Sequence, residues 1–307
     1  MFTVAAAETR ARGSHMVLTP VLDVARELRW GRVEETYGED THLVSEMGVA
    51  AIRGFHGPST PVHLAPGHVY ATVKHFAGHA VPENGSNTGP LMMGERTLRE
   101  QLLPSYQAGV QRGQAQSVMV TYHEIDGVPC AANAWLLQTV LRREWGFKGM
   151  VVADYNSIRE LATIHHVAAD FADAARIALM AGTDVELPDG HCFASLPALV
   201  RAGRVPMARI DEAVRRVLHV KFAIGLFETP YVEVAAAEAA TGNAASRALA
   251  RESGGRTMVL LKNERGTLPL RSEAVGRLAV IGHSAIDTPI GAYRADSTGR
   301  RNTVDVG

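Results

Sequence analysis

Apolar runs of six to nine residues recur along the chain, each separated from the next by stretches whose apolar positions return every three or four residues. The runs are "MVLTPVLDV" (16–24), "YATVKHF" (70–76), "QSVMVTY" (116–122), "GMVVAD" (149–154) and "GTDVEL" (182–187). Their length and β-branched content predict buried strands. The intervening stretches predict helices with recognisable ends. "AAAETRARG" reads as a helix ending at Gly13, so "RGSHM" sits in a helix-turn-strand unit rather than in a tag remnant. Thr97 and Glu100 have capping-box spacing ahead of "LLPSYQAGVQ". Asn133 is placed to cap "AWLLQTVLRREWG", with Gly146 as its stop. "RIDEAVRRVLHVKFAIG" puts Ile210, Ala213, Val214, Val217 and Lys221 on one face and stops at Gly225.

Alternating strands and helices predict an α/β fold with a parallel sheet covered by helices. An open doubly wound sheet and a closed (β/α)8 barrel both satisfy that pattern. The run ends favour the barrel. They carry Asp23, Lys74, His75, Tyr122, Asp154, Asp184 and Glu186, and polar groups from many strands converge when all C-terminal ends face one ring. No G-x-G-x-x-G follows the first run, which weakens the dinucleotide alternative. Only about five strands precede residue 228, where a barrel needs eight, so an incomplete barrel is expected over 1–228. An Ala-rich helical linker follows over 229–269. "TMVLLKNERGTLPL" and "RLAVIGHSA" then read as strand material, and 270–307 as the start of a second domain too short for its own core.

Composition removes several alternatives. A formal net charge of −1, from 31 basic and 32 acidic residues, offers no field for gripping nucleic acid. Cys130 and Cys192, the only cysteines, build no disulfide scaffold. His165 and His166 are adjacent, point in different directions on a helix, and make no zinc signature. No metal or cofactor is expected. No signal peptide and no stretch of membrane-spanning length is visible, which makes a cytoplasmic location the default and a membrane partner unexpected.

The candidate chemistry starts at "KGMVVADYNSI" (148–158), where Asp154 closes an apolar strand. A nucleophile or general base needs such fixed geometry. A carboxylate capping the helix that begins near Ser157 accounts for it equally well on local grounds. Lys74 and His75 both reach one pocket only if their strand ends or bends there; otherwise they are a solvated lysine and a core histidine. In "RWGRVEETYGED" (29–40), Arg32 has a planar fork suited to hydroxyls, or it belongs to a salt-bridged surface loop with Glu34, Glu35, Glu39 and Asp40. Trp30, Tyr37 and Tyr155 suit either sugar stacking or packing.

Five blocks, "PVLDVARELRWGRVEETYGED", "VKHFAGH", "SVMVTYHEIDGVPCAAN", "LRREWGFKGMVVADYNSI" and "AGTDVELP", together resemble glycoside hydrolase family 3, closest to its β-glucosidase/β-xylosidase branch. "VLLKNERGTLPL" and "RLAVIGHSA" resemble the start of that family's second, α/β sandwich domain. The resemblance implies a retaining O-glycosyl hydrolase acting on terminal β-D-glucosyl or β-D-xylosyl units of β-linked oligosaccharides or aryl and alkyl β-glycosides. It implies Asp154 as nucleophile. It implies Arg32, Lys74 and His75 as sugar-binding groups, Met119 and Tyr122 as pocket lining, and Tyr155 as the aromatic beside the nucleophile. In retaining enzymes the two carboxyl groups stand roughly 5 Å apart.

Departures matter as much. The family's acid/base is a glutamate of the second domain, expected beyond Gly307, and its first barrel strands are expected before Met1. No motif gives Glu124 or Glu186 the acid/base role. The loop "AGHAVPENGSNTGP" lacks the Asp-His pattern of the family's β-N-acetylglucosaminidases. A catalytically silent, sugar-binding chain that needs a complementary chain or a homo-oligomer stands as the alternative. A phosphate-binding barrel enzyme would need more than the single glycine of "ELPDGHCF".

Overall fold

The computed structural model describes residues 1–58, 64–282 and 285. Two compact units divide between Ser253 and Gly254. The first holds helices α1 (Phe2–Ala11), α2 (Thr41–His56), α3 (Glu95–Gln101), α4 (Leu103–Gln107), α5 (Ser157–Thr163), α6 (Phe171–Ala181), α7 (Leu196–Arg201), α8 (Met207–Ala223) and α9 (Val234–Ala240). Its strands are β1 (Met16–Val17), β2 (Tyr70–Phe76), β3 (Pro90–Leu91), β4 (Ser117–Val120), β5 (Glu124–Ile125), β6 (Val128–Pro129) and β7 (Met150–Val152). Among the described residues, two π-helical stretches, Ala108–Arg112 and Trp135–Glu144, and four short 3-10 turns also belong to it. A tenth helix, α10 (Ala244–Arg256), runs across the division.

The main sheet is parallel, in the order β1-β2-β4-β7. Single parallel bridges add Val21 beside Lys74 and Val185 beside Val152. All five apolar runs therefore lie side by side in chain order. A doubly wound sheet reverses its order at a switch point, and no reversal occurs among the described strands.

Period-two alternation sorts the side chains. Ala71, Val73, Val118, Val120, Val151 and Ala153 join the large core that includes Leu102, Tyr106, Leu136 and Leu137. Tyr70, Met119, Met150 and Val152 point to the other face, into a smaller cluster with Val220 and Ile224. By the same alternation Lys74 and Asp154 belong to that second face. The strand ends are therefore polar on the one side that the larger core does not claim.

Local signals held in part. Asn133 Oδ1 accepts from the Leu136 N–H at 3.0 Å, and Gly146 ends that helix at φ 71°. Gly149 has a different cause: a Cβ there would lie 2.1 Å from the Gln116 carbonyl oxygen. The capping box at Thr97 does not form. Helix α3 starts earlier, after Gly94, and no side chain caps it. Helix α8 is rotated from the expected face. Arg209, Ala213 and Val220 are its buried residues, and Val214 is 48% exposed. Arg209 causes this, because its Nε donates to the Leu179 carbonyl at 2.8 Å and its Nη2 pairs with buried Asp184 at 3.2 Å.

In the second unit, the segments read as strand material form no strand among the described residues. Among the described residues the first contains the short turn Glu264–Gly266, a second turn, Ser272–Ala274, lies between them, and Leu261 and Ile281 are about nine-tenths exposed. A strand needs a neighbour for its N–H and C=O groups, and the described residues of this unit pair with none.

Candidate active site

The site is built around Asp23, which lies at the end of the first apolar run and is fully buried. Its Oδ2 accepts from the His75 backbone N–H at 3.0 Å and from His75 Nδ1 at 2.8 Å. Its Oδ1 accepts from the His79 N–H at 3.0 Å and lies 2.6 Å from the Tyr106 hydroxyl of α4. That hydroxyl shares its one proton with the His75 carbonyl, 2.7 Å away. Only an acceptor-only carboxylate satisfies so many donors.

This hub decides the state of His75. Its Nδ1 carries the proton given to Asp23, so its Nε2 presents a lone pair. Arg32 Nη2, which can only donate, sits 2.8 Å from that lone pair. Burial, then the charges of Arg32 and Lys74, hold His75 well below the usual imidazole range. Arg32 also binds Glu35 through two bonds of 2.7 and 3.0 Å. Arg32 is therefore salt-bridged within its loop and also faces His75. Of its loop companions, Asp40 caps α2 through the Leu43 N–H, 2.6 Å away.

Lys74 and His75 do reach one region. The register of β2 against β4 shifts between Val73 and Phe76. Strict alternation therefore ends at this point. Burial lowers the Lys74 pKa, against the opposing pull of Glu35 and Asp154.

Asp154 does not cap α5. That helix starts after Asn156 with no side-chain cap. The Asp154 Oδ1 instead accepts from the Tyr155 N–H at 2.7 Å and the Tyr122 hydroxyl at 2.9 Å. The Oδ2 is buried, with no hydrogen-bond partner among the described residues, and His75 Nε2 lies 3.7 Å away. Burial raises the Asp154 pKa and outweighs the lowering pull of Tyr155 N–H, Tyr122, Arg32 and Lys74. An orphaned carboxylate oxygen is costly to bury.

Tyr155 contributes through its backbone, and its ring is 51% exposed beside Asp154. Met119 lies on the same sheet face, in register with Val152 and buried against Tyr70 and Met150. Trp30 is packing: it is 2% exposed, with Nε1 bonded to Asn87 Oδ1 at 3.0 Å. Asp184 and Glu186 do not join the ring. Asp184 accepts from Val151 N–H near the start of β7, and Glu186 accepts from the Cys192 and Phe193 N–H groups. Asp23, His75 and His79 bring three potential metal-ligand atoms within 4.8 Å of one another. The Asp23 oxygens and His75 Nδ1 are already spent on each other and on backbone N–H groups, and His75 Nε2 faces Arg32, so a cation would break the hub.

Residues 1–220 match the Glycosyl hydrolase family 3 N terminal domain. The chain belongs to glycosyl hydrolase family 3. The chain is 40% identical over 284 residues to a periplasmic beta-glucosidase of Salmonella typhimurium, covering 91% of this chain and 36% of that one. It is 38% identical over 293 residues to a beta-xylosidase of Formosa agariphila, covering 93% and 40%. A solved β-glucosidase from Erythrobacter marinus superposes with a TM-score of 0.87 at 37% identity, covering 89% of this chain and 36% of that one. The chain thus spans well under half the length of the family 3 relatives it matches.

Several groups around this family 3 site were not singled out by sequence reasoning. Tyr106 and His79 are visible only once α4 and the loop after β2 fold onto Asp23. Glu160, one turn into α5, is a second carboxyl under the influence of Asp154. Burial, then the charge of Asp154, pushes it up to about 7. A folded-state value above the unfolded one means that stability falls as pH rises from the ordinary glutamate range through that value. Glu160→Gln is therefore expected to raise the thermal midpoint at pH 8 and leave it nearly unchanged at pH 4. The gain at pH 8 is about 1–2 kcal/mol, discounted for partial solvent exposure. Melting curves at the two pH values check it; an equal shift at both would rule out ionisation as the cause.

Proposed function

We propose that this chain carries the nucleophile of a retaining β-glycosidase acting on terminal non-reducing β-D-glucosyl or β-D-xylosyl units. The buried, unpartnered Oδ2 of Asp154 carries this reading, and membership of family 3 supports it. In the reaction, Asp154 Oδ2 forms a bond to the anomeric carbon as the bond to the leaving oxygen breaks. An acid protonates that oxygen, and water then splits the glycosyl-enzyme and restores the carboxylate. Arg32 and Lys74 supply donors to sugar hydroxyls, and His75 Nε2 supplies an acceptor or, with Arg32, a fixed pair. Met119 and Tyr122 line the sugar pocket, and Tyr155 offers an aromatic face beside the anomeric carbon.

The acid is not assigned to this chain. Glu124 is paired with His165, Glu186 caps a turn and Glu35 is held by Arg32. The parallel strands in chain order support an arc of a (β/α)8 barrel, and the second compact unit begins at Gly254.

The test avoids the acid. The chain is incubated with 2-deoxy-2-fluoro-β-D-glucosides and β-D-xylosides carrying a dinitrophenyl leaving group, which departs without protonation. Intact mass is expected to rise by one fluoroglycosyl group, mapped to the peptide bearing Asp154. Binding with no adduct would instead support a silent sugar-binding chain, and an adduct on another residue would move the nucleophile.

A further inference from the structure

We propose that Glu124 and His165 form a positioning pair that sets how Tyr122 presents its phenol to Asp154. The inference rests on the reading of Asp154 as nucleophile. His165 Nε2 lies 2.7 Å from the Tyr122 carbonyl oxygen. A carbonyl only accepts, so Nε2 carries a proton. The other ring nitrogen, Nδ1, lies 3.2 Å from Glu124 Oε2. Imidazole and carboxylate hold one proton between them there, because two bare acceptors would repel. The His165 side chain is 3% exposed and that of Glu124 24%, so water does not replace these contacts freely.

The connectivity gives the pair its leverage. Asp154 leads directly into α5, and the end of α5 delivers His165, whose N–H bonds to the Glu160 carbonyl at 2.9 Å. His165 holds the backbone of Tyr122, and the Tyr122 hydroxyl returns to Asp154 at 2.9 Å. Covalent chain and hydrogen bonds close a ring that starts and ends on Asp154. Tyr122 itself lies in the gap between β4, which ends at Val120, and β5, which starts at Glu124. Glu124 is fixed in the small β3-β5-β6 sheet. His165 therefore ties a residue that no strand holds to one that a sheet holds. His166, next in sequence, is exposed, and its Nδ1 lies 3.1 Å from the Ala162 carbonyl oxygen near the end of α5.

A positioning role predicts a loss in rate rather than in binding. With the fluoroglycosides, His165→Ala is expected to lower the maximal labelling rate by about ten- to a hundredfold, with the half-saturating concentration little changed. His165→Gln keeps an N–H that can reach the Tyr122 carbonyl and is expected to recover most of the rate. Glu124→Gln should fall between, and His166→Asn should match the unaltered chain. Unchanged labelling in His165→Ala, or a loss that His165→Gln fails to restore, overturns the proposal. If the unaltered chain is not labelled, the nucleophile reading itself falls. Hydrogen exchange of peptide 120–125 then decides the link: faster exchange in His165→Ala upholds the tether, and equal exchange overturns it.

Discussion

Asp23→Asn is expected to destabilise the first unit by about 3–5 kcal/mol, the cost of breaking a buried charge arrangement by altering one partner. The substitution preserves shape and removes acceptors. Asp23 takes the His75 N–H and Nδ1–H on Oδ2 and faces the His79 N–H and the Tyr106 hydroxyl on Oδ1. Asparagine has one oxygen, so on the other side an NH2 must face a backbone N–H. If that side is the His75 side, Nδ1 accepts only after its proton moves to Nε2, which then points a donor at Arg32, 2.8 Å away. Neither orientation satisfies the hub. Denaturant unfolding followed by circular dichroism checks the size of the loss. A cost under about 1 kcal/mol, ordinary for a single hydrogen bond, would mean that the network is not cooperative.

Asp154→Ala is expected to slow dinitrophenolate release from a dinitrophenyl β-glycoside by about a thousandfold or more, the order seen when a nucleophile is removed. Added azide should restore release. Azide enters from the face that Asp154 occupied, its nitrogen bonding to the anomeric carbon as the dinitrophenolate departs, so an α-glycosyl azide is the expected product. A β-configured azide, or release that azide leaves unchanged, would place the attacking group elsewhere. Asp154→Asn separates chemistry from folding. Its amide oxygen can still accept from Tyr122 and Tyr155, while the charge that burial disfavours is gone. Its thermal midpoint at pH 7 is expected to be no lower than that of the unaltered chain, although labelling is lost.

The strands were legible because their apolar runs are long enough to be read without partners: four of the five runs hold strands, and the fifth, 182–187, joins the sheet by a single bridge at Val185. Asp154 and Lys74 stood out as polar groups in or at the end of such runs and Arg32 as the fork in the charged loop 29–40, while their expected roles came from the resemblance. Asp23 was visible as a run-end carboxylate, but its role depends on Tyr106, 83 residues away in sequence. Glu160 and His165 sit on an ordinary helical pattern, and only the return of α5 onto Tyr122 gives them meaning. Asp184 and Glu186 misled for the opposite reason. They also close an apolar run, but arginines draw one away and a turn's N–H groups take up the other. The supposed strands after residue 257 show that β-propensity without a neighbouring strand forms no ladder.

The distance between the two charged ends of β7 has a practical side. Asp184 gathers Arg142, Arg209 and Arg216 at 2.9, 3.2 and 2.8 Å, and Val151 anchors it near the start of the strand. Asp154 follows the strand's other end, about 10 Å along at the usual rise per residue. The two groups share no hydrogen-bond partner. Substitutions for heat tolerance around the arginine cluster and substitutions for sugar preference around Asp154 should then combine with nearly additive free energies. A designer could optimise the two in separate libraries and merge the winners.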